Sequence, residues 1–131
     1  MIGHIIINVI DFSISEIFYN TLLQEVGFVE DWKSDEEDSA LKSYHHKEQN
    51  ISLMIRYDKK STIESFVRNP WLDHLCLKVK SREHVDKIHE IVKTLWSTIT
   101  RNPQDYPHYT ENYYAFYFRD PSWIPLEIAY I

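Results

Sequence analysis

One order of elements runs through this chain twice, and that repeat restricts the fold more than any other feature. The first pass opens with HIIINV (His4–Val9), a strand-like run rich in β-branched residues. Ser13 stands three residues before Glu16, the spacing of a capping box. Ile17, Phe18, Leu22 and Val26 follow at helical spacing, and Gly27 predicts the helix end. Strand candidates then cover 28–33, 40–47 and 51–57, with polar turns at 35–38 and 47–50. The second pass opens with HLCLKV (His74–Val79), uses Ser81 as N-cap, and carries a stripe of Val85, Ile88, Val92 and Leu95. Its strand candidates are 97–101, 113–119 and 126–131, with a long loop at 102–112. The module ends also match, LMIRY (Leu53–Tyr57) against LEIAY (Leu126–Tyr130). The expected fold class is α+β: two βαβββ modules forming a curved mixed sheet around a cleft. Module one covers about 1–57, a link about 58–70, and module two about 71–131, together one domain.

Strand parity then decides which side chains share a face. Ile5, Ile7 and Val9 form the apolar set under the helix, leaving His4, Ile6 and Asn8 opposite. In module two Leu75, Leu77 and Val79 face the helix, while His74, Cys76 and Lys78 face away. Leu126, Ile128 and Tyr130 are core-facing, so Glu127 and Ala129 lie on the other side. Met54 occupies in module one the place that Glu127 holds in module two. Tyr113, Tyr117 and Arg119 are placed on the open face of their strand, and Arg56 on that of module one. Two imidazoles and one carboxylate on the helix-free faces suit an open divalent-metal site for Fe, Mn, Zn, Co or Ni. Each histidine taken singly reads first as a solvated strand residue; the matched pair with an in-phase glutamate is what points to a metal.

Composition removes other classes. A net charge of −6 argues against nucleic acid, which needs a basic face. Two glycines rule out a phosphate-cradling glycine-rich loop. One cysteine makes no internal disulfide, no apolar run is long enough for a membrane, and the start has no signal-peptide pattern. The expected location is cytoplasmic. His84 and His89 read as solvated helical residues, Glu64 as a solvated loop charge, and His45 or His46 as a candidate for the open face. Trp32, Tyr44, Trp71, Tyr113, Tyr117 and Trp123 supply aromatics for stacking a ligand.

The segments HIIINV, FYNTLLQEVGF, DHLCLKV and YYAFYFRDPSWIPLEIAY resemble the vicinal-oxygen-chelate superfamily of glyoxalases, bleomycin-resistance proteins and extradiol dioxygenases. FYFRDPSWIPLE (Phe116–Glu127) is the most specific part. The resemblance implies metal ligands at His4, His74 and Glu127, with Met54 where some members have a fourth. Missing that carboxylate, the chain departs from glutathione-dependent glyoxalase I. It also implies a catalytic role for Glu127 and Tyr117, and substrate contacts from Arg56, Met54, Cys76, Tyr113, Tyr117 and Arg119. A small-molecule substrate and a homodimer are the implied partners. The expected function is a glyoxalase-like metalloenzyme (lyase, transferase or dioxygenase type) on a substrate chelated through adjacent oxygens. The alternative is a non-catalytic binding or drug-sequestering protein. Two turns depart from the pattern, with Trp96 and Trp123 where glycine is usual, which predicts altered turns or a loss of stability.

Overall fold

The computed structural model describes residues 2–60 and 72–131. Most of the expected link, with Glu64 and Trp71, lies outside the described residues. The chain divides into two compact units, Met1–Trp71 and Leu72–Ile131.

In the first unit the elements are β1 (His4–Asn8), α1 (Phe12–Glu25), β2 (Val29–Asp35), β3 (Ser39–His46) and β4 (Ile51–Asp58). The sheet order is β1-β4-β3-β2, with β1 parallel to β4 and the other pairs antiparallel. A parallel pair needs a crossover, which the helix and the β2–β3 hairpin supply. The helix buries Ser15, Phe18, Tyr19, Leu22 and Leu23. That is a regular helical stripe, but it is rotated from the expected one, leaving Ile17 half exposed. The cap also differs from expectation. Asp11, not Ser13, is the N-cap, its Oδ1 accepting from the Ile14 N–H at 3.0 Å. Asp11 has the extended backbone a cap requires, whereas Ser13 already lies inside the helix. Gly27 ends the helix at φ +90°, and a Cβ there would stand 2.9 Å from Nε2 of His46.

The second unit repeats the plan with β5 (Leu75–Val79), α2 (Arg82–Val92), β6 (Thr98–Asp105), β7 (Tyr114–Arg119) and β8 (Pro125–Tyr130). Its order is β5-β8-β7-β6, again with one parallel pair, β5 with β8. Ser81 caps α2 as expected, accepting from the His84 N–H at 3.1 Å. Val85, Ile88, Val92 and Leu95 are buried, as the stripe predicted. Phe116, Phe118, Leu126 and Ile128 are buried too and by parity share one side of the sheet, where α2 packs on β7 and β8. His89 is not solvated as expected. Its ring lies against Phe116 at 5.2 Å between centroids. β6 runs four residues past its expected end, through Pro103, because an edge strand with two bulges tolerates the missing N–H. Among the described residues no helix is long and apolar enough to cross a membrane.

Candidate functional site

Glu127 sits in the middle of β8, and β8 has neighbours on both sides. Cys76 is its register partner on β5 and Tyr117 on β7, with Arg101 beyond Tyr117 on β6. These four residues form one row across the helix-free face. The carboxylate is only 1% exposed, which is unfavourable for a charge unless it is well paired. Its partners come from three directions. The Tyr113 hydroxyl donates to Oε1 at 2.7 Å, and Nε2 of His74 lies 2.9 Å from Oε2. The Tyr117 hydroxyl and the Cys76 thiol also interact with it.

His74 lies just before β5, so its backbone is set by the strand that follows. Nδ1 of its ring meets Oδ2 of Asp73 at 2.6 Å, so the imidazole bridges two carboxylates. Asp73 was not picked out from the sequence, although it is the residue next to the histidine. The pattern of a histidine whose second ring nitrogen is held by a carboxylate is common around metal sites. The His74 ring also meets Tyr117 edge-on, with centroids 5.7 Å apart.

A tyrosine cluster closes over this face. Tyr106 is buried and packs with Ala115 and Ala129, with Tyr113 and Tyr117 against them. Tyr109 stacks on Tyr106 at 5.8 Å and meets Tyr113 at 5.2 Å. The loop is pinned by its backbone, Tyr106 N–H to the Tyr113 carbonyl at 2.8 Å and Tyr113 N–H to the Thr110 carbonyl at 3.2 Å. Parity anticipated Tyr113 and Tyr117, but not the fold-back that adds Tyr106 and Tyr109. No local pattern announces such a loop.

Electrostatics follow from the buried carboxylate. Burial, then the hydrogen bond to Glu127 and its charge, raises the Tyr113 and Tyr117 phenols well above the usual range. Desolvation of the thiol, then the Glu127 charge, pushes Cys76 up to about 12, although the residue as a whole is exposed. These groups are therefore hydrogen-bond donors at neutral pH, and the thiol is not a ready nucleophile.

The other expected residues are spread differently. Arg119 donates to the Trp123 carbonyl at 2.9 Å and so braces the β7–β8 turn. Arg101, missed from the sequence, places its guanidinium 5.9 Å from the Tyr117 ring. Tyr44 is not available for stacking. It is buried on the helix side and donates to Asn20 Oδ1 at 2.6 Å. In the first unit His4 is exposed, with Ser52 as its register partner on β4 and His45 beyond on β3. His45 Nδ1 lies 3.1 Å from Ser52 Oγ, whereas His46 turns toward Phe28. Met54 pairs with Ile6 as Glu127 pairs with Cys76, each two residues beyond the matched histidine. That register makes Met54 the counterpart of Glu127. Arg56 is exposed on the same strand.

The donor chemistry can be tested against a metal. Two ligands about 2.1 Å from a shared ion and at right angles stand about 3.0 Å apart. The 2.9 Å between His74 Nε2 and Glu127 Oε2 fits that spacing. Among the described residues no group of three or more His, Cys, Asp or Glu side chains is gathered for a metal, so this geometric support extends to two ligands.

No family model matches the chain, and no curated protein matches it. Solved structures do. A glyoxylase/bleomycin resistance protein/dioxygenase domain from Frankia sp. superposes with a TM-score of 0.78 at 21% identity, over 99% of this chain and 96% of that one. This chain has the vicinal-oxygen-chelate fold. A glyoxalase/bleomycin resistance protein from Albidiferax ferrireducens shares that fold with a TM-score of 0.70 at 19% identity, covering 100% and 98% of the two chains. So does the fosfomycin resistance protein FosX from Listeria monocytogenes, at 0.69 and 17% identity over 99% and 91%. That FosX structure is a Glu-to-Gln variant complexed with Mn(II) and 1S,2S-dihydroxypropylphosphonic acid. The vicinal-oxygen-chelate fold implied by the sequence resemblance is thus the fold observed.

Proposed function

We propose that this chain is a metal-dependent enzyme acting on a small molecule with two adjacent oxygens. His74 and Glu127 would hold a divalent cation (Fe, Mn, Zn, Ni or Co). His4 enters as a third ligand from its matched strand position in the sequence and from the sequence resemblance. One observation carries the reading: Oε2 of a 1% exposed carboxylate lies 2.9 Å from Nε2 of His74. Packing alone gives no reason for a carboxylate between Leu126 and Ile128, since an apolar residue there would avoid desolvating a charge. A bound cation would supply Lewis-acid stabilisation of negative charge on the substrate oxygens.

The chain's own groups then have separate tasks. Tyr117 is a hydrogen-bond donor beside Glu127 and His74, positioned to orient a substrate oxygen. Arg56, Arg119 and Arg101 favour an anionic substituent. Cys76 lines the face as a neutral thiol, and the tyrosine cluster excludes water. Met54 leaves the fourth place without a carboxylate, which supports an open site and speaks against the glyoxalase I reaction. FosX, of the same fold, is complexed with Mn(II) and a ligand whose two hydroxyls are adjacent, and that likeness favours a similar chemical class here. The exposed Val29 and Trp32 on edge strand β2 support a homodimer as part of the reading.

Elemental analysis of the protein purified without chelator tests the proposal. Close to one divalent ion per chain is expected for the wild type, with loss in His74→Ala and Glu127→Gln. Metal-free wild type, unchanged on incubation with Mn(II) or Zn(II), would rule the metal reading out. A second reading, a non-catalytic binding protein, is favoured by the four tyrosines 106, 109, 113 and 117 on one face. Stoichiometric binding of an aromatic ligand by metal-free protein, without turnover, would select it.

A further inference from the structure

We infer that Arg101 reads an oxyanion on the small-molecule ligand, a carboxylate or a tetrahedral anion such as a phosphonate. The inference deepens the reading above: it rests on the helix-free face of the second unit as the ligand face, but not on a bound metal. Two bulges in β6 carry it. Ile99 pairs with Phe118 and Arg101 with Tyr117, so two residues on β6 answer to one on β7. In a regular strand Ile99 and Arg101 would share the helix side, because strand residues alternate. The extra residue turns Arg101 onto the helix-free face, into the row with Tyr117, Glu127 and Cys76. The second bulge, between Arg101 and Gln104, brings Gln104 to the same face opposite Ala115. There its amide donates to the Tyr106 hydroxyl at 2.8 Å, and the Tyr106 ring meets Tyr117 at 5.6 Å. Bulges and charges also protect an edge strand from pairing, but an arginine on either face would serve for that.

Arg101 also has its donors to spare, unlike the other arginines of this unit. Arg119 donates to the Trp123 carbonyl, and Arg82 is committed to both oxygens of Asp105. Among the described residues no carboxylate pairs with Arg101, whose guanidinium lies 5.9 Å from the centroid of the Tyr117 ring. A guanidinium beside an aromatic ring keeps N–H groups for an oxyanion, which it can grip through two parallel hydrogen bonds. The backbones of Arg101 and Glu127 are two strand spacings apart, about 9.6 Å, with Tyr117 between them. The row therefore has a polarity. A ligand lying over Tyr117 places its anionic group toward Arg101, since the Glu127 charge disfavours an anion at the other end.

Benzoate and phenylphosphonate are the anionic probes and benzamide the neutral one, each with a ring for the neighbouring tyrosines. Chemical-shift titration follows their binding to the wild type, Arg101→Gln, Arg101→Lys and Lys93→Gln, without added metal and with Zn(II). Lys93, paired with Glu90 away from this face, is the control for net charge. Arg101 is exposed, so its variants are expected to fold, and circular dichroism checks that they do. The wild type is expected to bind at least one anion ~10-fold more tightly than benzamide, the scale of a hydrogen bond to a charged group. Arg101→Gln is expected to bind anion and benzamide alike, Arg101→Lys to keep part of the preference, and Lys93→Gln to match the wild type. The more tightly bound anion names the oxyanion. No anion binding or no preference in the wild type would overturn the inference, as would a preference unchanged in Arg101→Gln or lost equally in Lys93→Gln. A preference that depends on Arg101 supports it in either condition, even where Zn(II) does not bind and the metal reading fails. Zn(II) binding with recognition independent of Arg101 would leave the metal reading standing alone.

Discussion

Trp96 and Trp123 take left-handed backbone angles, φ 55° and 67°. An L residue with a bulky side chain is strained there, at roughly 1–3 kcal/mol each. Both rings are more than half exposed, so burial of the indole offsets little of that. The turns therefore keep the geometry glycine would give them, and the strain is carried instead. In the β7–β8 turn Asp120 bears the load. Its Oδ1 accepts from the N–H groups of Ser122 and Ile124, each at 2.8 Å. Trp123→Gly should raise stability by about 1 kcal/mol, the relief of strain less the entropy glycine loses. Asp120→Ala should lower it by about 2 kcal/mol, since one buried and one part-buried donor lose their acceptor. Urea unfolding of the two variants measures both, and a destabilised Trp123→Gly would mean that the indole makes a contact worth more than the strain.

Among the elements, α1 and α2 separate a cap that spacing finds from one it misplaces. Asp11→Ala should destabilise by about 1 kcal/mol, and Ser81→Ala by a similar amount, as N-caps do. Ser13→Ala should stay within about 0.5 kcal/mol, the usual range for a surface position. A Ser13 variant as damaging as the Asp11 one would restore the capping-box reading. The Ser13–Glu16 spacing satisfied the pattern, but several polar residues near a helix start compete for one cap. Which one wins depends on where the strand releases the chain. The end of β6 was equally hidden, since Pro103 reads as a terminator until β6 is known to be an edge.

For the molecule as a whole, alkali is the informative stress. Tyr44 is raised above the ordinary phenol value of 10, by burial first and then by Glu16 and Glu30. Tyr114 is raised to about 12, by burial and by its hydrogen bond to Asp86. Both favour the neutral phenol in the folded protein, so their contribution is complete below pH 10. It falls as pH rises from there, because the unfolded chain ionises first. The urea midpoint should hold steady up to pH about 10 and fall toward pH about 12, and Tyr44→Phe should flatten that fall. A midpoint insensitive to alkali would contradict the burial of these phenols.

By itself the sequence determined the doubled order of elements, the faces of the strands, and the pairing of His74 with Glu127 as candidates. These depend on local periods, two residues for strands and 3.6 for helices, which a linear chain displays openly. It also made Met54 the counterpart of Glu127 in the first module, and the register within each sheet agrees. Only the tertiary structure decided that Tyr113 bonds Glu127, that Asp73 holds the far nitrogen of His74, and that Arg119 braces a turn. It alone folded Tyr106 and Tyr109 over Ala115 and Ala129. Those contacts join residues whose side chains have no fixed relation along the chain. A loop returning to its own sheet, and the length of a strand at an edge, are set by hydrogen bonds and packing between distant segments, which no local period encodes.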